Sequence, residues 1–203
     1  MKKKTVALLM ALVLIFGVAA GGTVAWLTDK TETITNTFTY SDITITLEET
    51  DTDSTTAGAQ YEYKMVPGGT ITKDPKVTVK GGSEACWLFV KLVESANYDT
   101  FLADYNAAVI AAGWAPLDGN AGVYYKKVSA LDSDQTFDVI NGNTLTVRDT
   151  VTKNDMAEIK DSGMPTLSVT AYAIQSANLK DSAGNALDDD DIADIWNLAK
   201  PNP

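Results

Sequence analysis

The sequence predicts an all-β protein: a jelly-roll-like β-sandwich with one inserted helix and a short C-terminal helix. Three observations predict it. Eight or so short segments alternate apolar with polar residues, the period of a half-buried strand. Signals rich in Gly, Asn and Asp separate these segments at short intervals. Few stretches space their apolar residues for a helix, and many short strands with frequent turns suit two packed antiparallel sheets.

The elements follow in order. From Phe38 the pattern alternates, with Ile43, Ile45 and Leu47 on one face and Thr44, Thr46 and Glu48 on the other. Residues 49–58 form a loop of Thr, Asp, Ser and Gly. A strand from Tyr61 to Val66 ends at a Pro67-Gly68-Gly69 turn, and Lys76 to Val79 ends at Gly81-Gly82. Cys86 to Val93 is the most apolar run, as expected of a central strand covered on both faces. Phe101, Leu102, Tyr105, Val109 and Ala112 recur at helical spacing, with Asn97 or Asp99 as the cap and Gly113 as the stop. Val123 to Val128 follows an Asp118-Gly119-Asn120 turn. Thr136 to Ile140 and Thr144 to Arg148 flank Asn141-Gly142-Asn143, the strongest local hairpin signal. Asn154 to Lys160 reads as a helical turn and Leu167 to Ile174 as the last strand, with Val169, Ala171 and Ala173 opposing Ser168, Thr170 and Tyr172. Asp190 to Leu198 reads as a helix with acids in its first turn, where the helix dipole favours them.

The N-terminus has the layout of a secretory leader. Lys2, Lys3 and Lys4 form a basic region, Val6 to Ala20 an uncharged apolar one, and Thr23 and Ala25 are small residues at the −3 and −1 positions of a cleavage site before Trp26. The alternative is an uncleaved anchor, since the apolar stretch through Leu27 could just span a bilayer; Gly21, Gly22 and Thr23 break the helix before the site and favour cleavage. A lipoprotein leader would need a cysteine there, and the only cysteine is Cys86. The predicted organisation is a signal peptide over 1–25, a mobile N-terminal segment over 26–38 and one β-sandwich domain over 39–203.

These residues also carry a family resemblance. Gly-Gly-Thr at 21–23, a small-aromatic junction at Ala25-Trp26, Thr28-Asp29, and Asn36-Thr37-Phe38 leading into an alternating strand resemble the leader and first strand of the TasA/camelysin-type proteins of Gram-positive bacteria. Met65 to Asp74, followed by Val77 to Gly82, is similar to that family's Pro-Gly turn, Thr-Lys-Asp step and next strand. Together these stretches cover about the first half of the chain. The resemblance implies a SipW-type signal peptidase as the processing partner, a jelly-roll fold, and assembly into biofilm matrix fibres.

Composition excludes several classes. Cleavage after Ala25 removes three of the sixteen basic residues and none of the twenty-seven acids, taking the net charge from −11 to −14. Such a surface repels nucleic acid and anionic headgroups, so no nucleic-acid partner is expected, and membrane contact only through an uncleaved leader. A single cysteine forms no intramolecular disulfide, and Cys86 in an apolar run reads as a small buried strand residue. The chain has no histidine. That removes Ser-His-Asp and Cys-His catalysis and the usual histidine zinc sites, including the metallopeptidase label given to some members of the resembling family. No cofactor is expected.

The remaining constellations are weak. Asp188, Asp189, Asp190 and Asp191, with Asp181 and Asn185 upstream, invite a calcium reading, but Asp181-Ser182-Ala183-Gly184-Asn185 does not give the spacing of alternate oxygen ligands, central glycine and closing acid that a calcium loop needs. They read better as a solvated loop that caps a helix. Asp51 and Asp53 alternate as calcium ligands would, but no glycine or closing acid follows at the required spacing. Trp26, Trp87, Trp114 and Trp196 could line a sugar groove, although Trp87 and Trp114 suit a sandwich core.

The expectation is therefore a secreted structural protein of the extracellular matrix or cell surface, not an enzyme, whose partner is itself. Trp26 to Phe38, rich in Thr and free of Pro and Gly, is the candidate donor strand for a neighbour's sheet edge, with Trp26, Leu27, Ile34 and Phe38 as its apolar groups. The alternative is a monomeric surface binding module for glycan or protein.

Overall fold

The computed structural model describes residues 42–49 and 65–200. Over these residues the regular structure is mostly strand, arranged in antiparallel sheets with a few short helices. The strands are β1 (Ile45–Glu48), β2 (Thr70–Thr72), β3 (Lys76–Val79), β4 (Cys86–Glu94), β5 (Ala115–Pro116), β6 (Val123–Val128), β7 (Gln135–Asp138), β8 (Thr144–Thr146) and β9 (Leu167–Gln175). The helices are α1 (Tyr98–Phe101), α2 (Asn106–Ala111), α3 (Lys153–Ser162) and α4 (Ile192–Ala199), with a 3-10 turn at Asn141–Asn143. One sheet has the order β1-β3-β7, a second pairs β2 with β8, and a third has the order β5-β6-β4-β9.

The centre of the third sheet explains the main packing. β4 pairs with β6 on one side and β9 on the other. Its side chains alternate between two apolar clusters, because successive residues of a strand point to opposite faces. Cys86, Leu88, Val90 and Leu92 join Val77 and Val79 of β3 and Tyr124 and Val128 of β6 in the larger core. Trp87 and Phe89 face the other way and pack with Ile195 and Trp196 of α4, Leu179 and Leu117. The sequence expectation of a central strand covered on both faces therefore holds. Each large side chain buried this way contributes about 1.5–3 kcal/mol relative to an exposed one.

Local chemistry fixes the connections. The Val66–Gly69 turn closes with Gly69 N–H donating to Val66 C=O at 2.8 Å, and Gly68 takes the positive φ of 75° that this turn needs. Gly122 lets the backbone before β6 come close to β4: a Cβ there would lie 2.3 Å from the Leu92 carbonyl oxygen. α3 opens with a capping box, in which Thr152 and Asp155 bond each other's backbone N–H groups.

Several expectations need correction. The hairpin over 136–148 does not form. β7 pairs with β3, and β8 pairs with β2. Residues 70–79 and 135–146 instead run side by side and pass together from one sheet into another. The bonds from Val139 N–H to Pro75 C=O and from Lys73 N–H to Asn143 C=O bridge the crossing, and the 3-10 turn absorbs the extra length of its strand. Val139 and Ile140, fully buried at the crossing, favour this arrangement over a local hairpin. The single helix expected over 101–112 is two short ones. Leu102 turns extended and bridges to Val147, while Ala103 N–H donates to Thr146 C=O, so strand pairing interrupts the helix. Tyr61 to Lys64 lie outside the described residues, and Met65 and Val66 are not strand. β1 is shorter than predicted and its Leu47 is exposed. β2 was not expected at all.

Candidate functional site

The structural feature with functional potential is a sheet edge. β9 is a terminal strand of its sheet, and among the described residues no strand pairs with its far side. It is nine residues long, Leu-Ser-Val-Thr-Ala-Tyr-Ala-Ile-Gln, with no charge and no proline. The direction of its backbone groups follows from the register. Ser95 N–H donates to Thr166 C=O at 3.0 Å and Ser176 N–H donates to Ala85 C=O at 2.9 Å. Between these points the pairing with β4 is one to one. Antiparallel pairs alternate between bonded and non-bonded positions. Ser168, Thr170, Tyr172 and Ile174 therefore bond β4, whereas Leu167, Val169, Ala171, Ala173 and Gln175 direct N–H and C=O away from the sheet.

The side chains at this edge are apolar but incompletely covered. Val169, Ala171 and Ala173 pack against the larger core and are only half-buried, as are Ile43 and Ile45 of the β1 region. β1 passes close to β9. On the other face Tyr172 meets the Trp196 ring of α4 edge-on at 5.1 Å, which holds that end of β9 in place.

The acidic loop before α4 uses its carboxylates internally. Asp188 N–H donates to Asp191 Oδ2, Asp190 N–H to Asp188 Oδ1, and Lys127 Nζ bonds Asp189 Oδ1 at 2.6 Å. Asp191 is the N-cap residue of α4. Asp181 accepts from the backbone of Ala183 and Asn185 and from the Asn185 amide, and these bonds hold its carboxyl below the usual range. Among the described residues no three His, Cys, Asp or Glu side chains gather as metal ligands.

Two polar clusters escaped the sequence reading. Tyr98, Tyr105 and Tyr124 lie buried near the end of β4. Tyr105 bonds Glu94 and Tyr124 bonds Asn106, while the Tyr98 hydroxyl has no partner. Burial, reinforced by Glu94, raises all three above the ordinary tyrosine range. Lys126 Nζ sits 5.1 Å from the Trp114 ring centre and 4.7 Å from that of Phe137, and donates to Ala112 C=O. Burial pushes its ammonium down in pKa, while the ring faces favour the charged form. The hydrogen-bonding partners that assemble these clusters come from distant segments, so no local motif marks them.

Of the residues singled out in the sequence, Thr23, Ala25, Trp26, Leu27, Ile34 and Phe38 lie outside the described residues, as do Asp51 and Asp53. Trp87, Trp114 and Trp196 are buried core residues. Cys86 is fully buried, and burial pushes its thiol up. No helix among the described residues is long and apolar enough to cross a membrane. The fold and its edge define a β-rich, antiparallel class of protein. No family model, curated protein or solved structure matches the chain.

Proposed function

We propose that this chain is a secreted structural protein of the extracellular matrix or cell surface, built on a jelly-roll-like β-sandwich, that assembles into fibres by N-terminal donor-strand exchange. The observation that carries the reading is an antiparallel sheet ending in a long, uncharged strand with outward-facing backbone groups. Such edges pair readily with an extended segment of another chain unless charge, proline or a covering element blunts them. The leader pattern and the family resemblance supply the export route, a SipW-type peptidase cutting after Ala25. Trp26 to Phe38 then supplies the donor: it is β-branched, free of Pro and Gly, and released by that cut.

Intact mass of the secreted protein checks the processing, with Trp26 as the first residue. Deletion of Trp26 to Thr35 tests the mechanism. The shortened protein is expected to stay folded and monomeric and to form no fibres. Normal fibres from it would refute donor-strand exchange.

A further inference from the structure

We infer that the chain forms a covalent cross-link within itself: the Lys73 amine is acylated by the Asn143 side-chain amide, with Glu49 as the proton carrier, and ammonia is released. The bond does not depend on whether the chain builds fibres.

Register brings the two side chains together. β2 pairs with β8 so that Thr70, Ile71 and Thr72 lie opposite Thr146, Leu145 and Thr144. One step further along, Lys73 N–H donates to Asn143 C=O at 2.9 Å, so these residues also face one another. Opposed residues of an antiparallel pair share a face, with Cβ atoms about 5 Å apart. That face is the inner one. Thr72 and Thr144 are exposed, whereas Ile71 and Leu145 pack in the larger core. Lys73 and Asn143 lie in step with Ile71 and Leu145.

Burial agrees. Lys73 is 8% exposed, the one buried lysine among the described residues. A lysine on a surface strand carries its ammonium out to water along a flexible stem. This one turns inward, and its Nζ lies 2.8 Å from Oε2 of Glu49, the residue after β1. Asn143 Oδ1 is buried and has no hydrogen-bond partner among the described residues. An amide oxygen left so costs stability and calls for a reason.

The chemistry needs nothing from outside. Lys73 Nζ passes one proton to the Glu49 carboxylate, and its lone pair attacks Asn143 Cγ. A bond forms between Nζ and Cγ as the bond from Cγ to Nδ2 breaks. Glu49 gives its proton to the departing Nδ2, which leaves as ammonia, and takes a second proton from Nζ. The third proton stays on the new amide nitrogen. Glu49 then donates to Oδ1, which supplies the partner that oxygen lacks. No atom is oxidised or reduced. Holding amine and amide opposite one another makes the step intramolecular.

The position suits a clip. Lys73 and Asn143 enclose β3 through β7, including the central β4, at the place where the paired segments pass from one sheet to another. The chain has one cysteine, so no disulfide closes this loop. A cross-link over a loop of this length restricts the unfolded chain strongly.

Intact mass of the purified protein gives the first test. It is expected to fall short, by one ammonia, of the mass that the sequence dictates from its first residue on. A tryptic digest is expected to leave Lys73 uncut and to yield a branched peptide joining Lys73 to Asn143. Lys73→Arg keeps a cation for Glu49 but has no amine to acylate. It is expected to show the full sequence mass and a melting temperature lower by about 10 °C or more. Glu49→Gln keeps a hydrogen-bond acceptor for Lys73 but cannot carry the proton, and is also expected at full mass. A parent chain at full sequence mass would overturn the assignment. So would a lost ammonia that maps to a succinimide at Asn141-Gly142, or a lost water with Lys73 joined to Glu49. Should either variant fail to fold, the parent's mass and branched peptide decide the matter alone.

Discussion

β4 and β9 are hydrogen-bonded neighbours of equal length, paired residue for residue, yet they occupy opposite ends of the range of strand environments. β4 has a strand on each side and an apolar cluster on each face; five consecutive residues, Cys86 to Val90, are buried. Among the described residues β9 pairs with one neighbour, and none of its residues is fully buried. The same backbone geometry thus has partners on both sides in one strand and, among the described residues, on one side in the next. Composition follows the degree of burial: bulky apolar residues run in series in the fully buried β4, while Ser and Thr alternate with apolar residues through the first half of the partly buried β9.

Substitution should separate the two strands sharply. Phe89→Ala removes a fully buried ring that touches Trp196 at 5.3 Å, and is expected to cost about 3–5 kcal/mol in chemical denaturation. Val169→Ala in β9 is expected to cost no more than about 1.5 kcal/mol, because the side chain is only half-buried. Equal losses at the two sites would mean that β9 is as fully enclosed as β4.

The segments flanking these strands give smaller effects. α3 precedes β9, and Thr152→Ala removes its cap at an expected cost of about 1 kcal/mol. Bonds from Thr152 hold Asp155 below the usual carboxylate range. Its folded-state pKa is depressed, so the associated stability is present above about pH 4 and is lost as pH falls through the depressed value. The Thr152→Ala protein should therefore lose less stability than the parent between pH 5 and pH 2, roughly. An unchanged pH profile would show that the cap does not act through Asp155.

Tyr98 follows β4, and its buried hydroxyl lacks a partner, whereas that of Tyr105 bonds Glu94. Tyr98→Phe is expected to be neutral or stabilising by about 1 kcal/mol, and Tyr105→Phe destabilising by a similar amount. Both tyrosines have raised folded-state pKa values, so their contribution is intact below about pH 10 and is lost as pH rises beyond it. Urea melts at neutral and alkaline pH would check both signs.

Much of the fold is legible in the sequence where neighbours along the chain decide the outcome. The strands Lys76–Val79 and Val123–Val128 have the predicted bounds, because turn residues bracket an alternating run on each side. The Pro67-Gly68 turn, the buried Cys86 and the C-terminal helix also follow from local chemistry. The missing hairpin at Asn141-Gly142 and the broken helix at Leu102 share a different cause. In each, backbone pairing with a segment remote in sequence overrides a strong local signal. The place of β9 at the end of its sheet among the described residues is not legible for a related reason. Periodicity reveals which residues face the core, while strand order and hydrogen-bond parity depend on which other strands arrive beside it.

The central claim is that the mature chain builds fibres from its own copies. Electron microscopy of the purified secreted protein, across pH, salt and protein concentration, tests it most directly. Fibres one subunit wide, absent from the protein lacking Trp26 to Thr35, are the predicted result. Globular particles alone under every condition would contradict it.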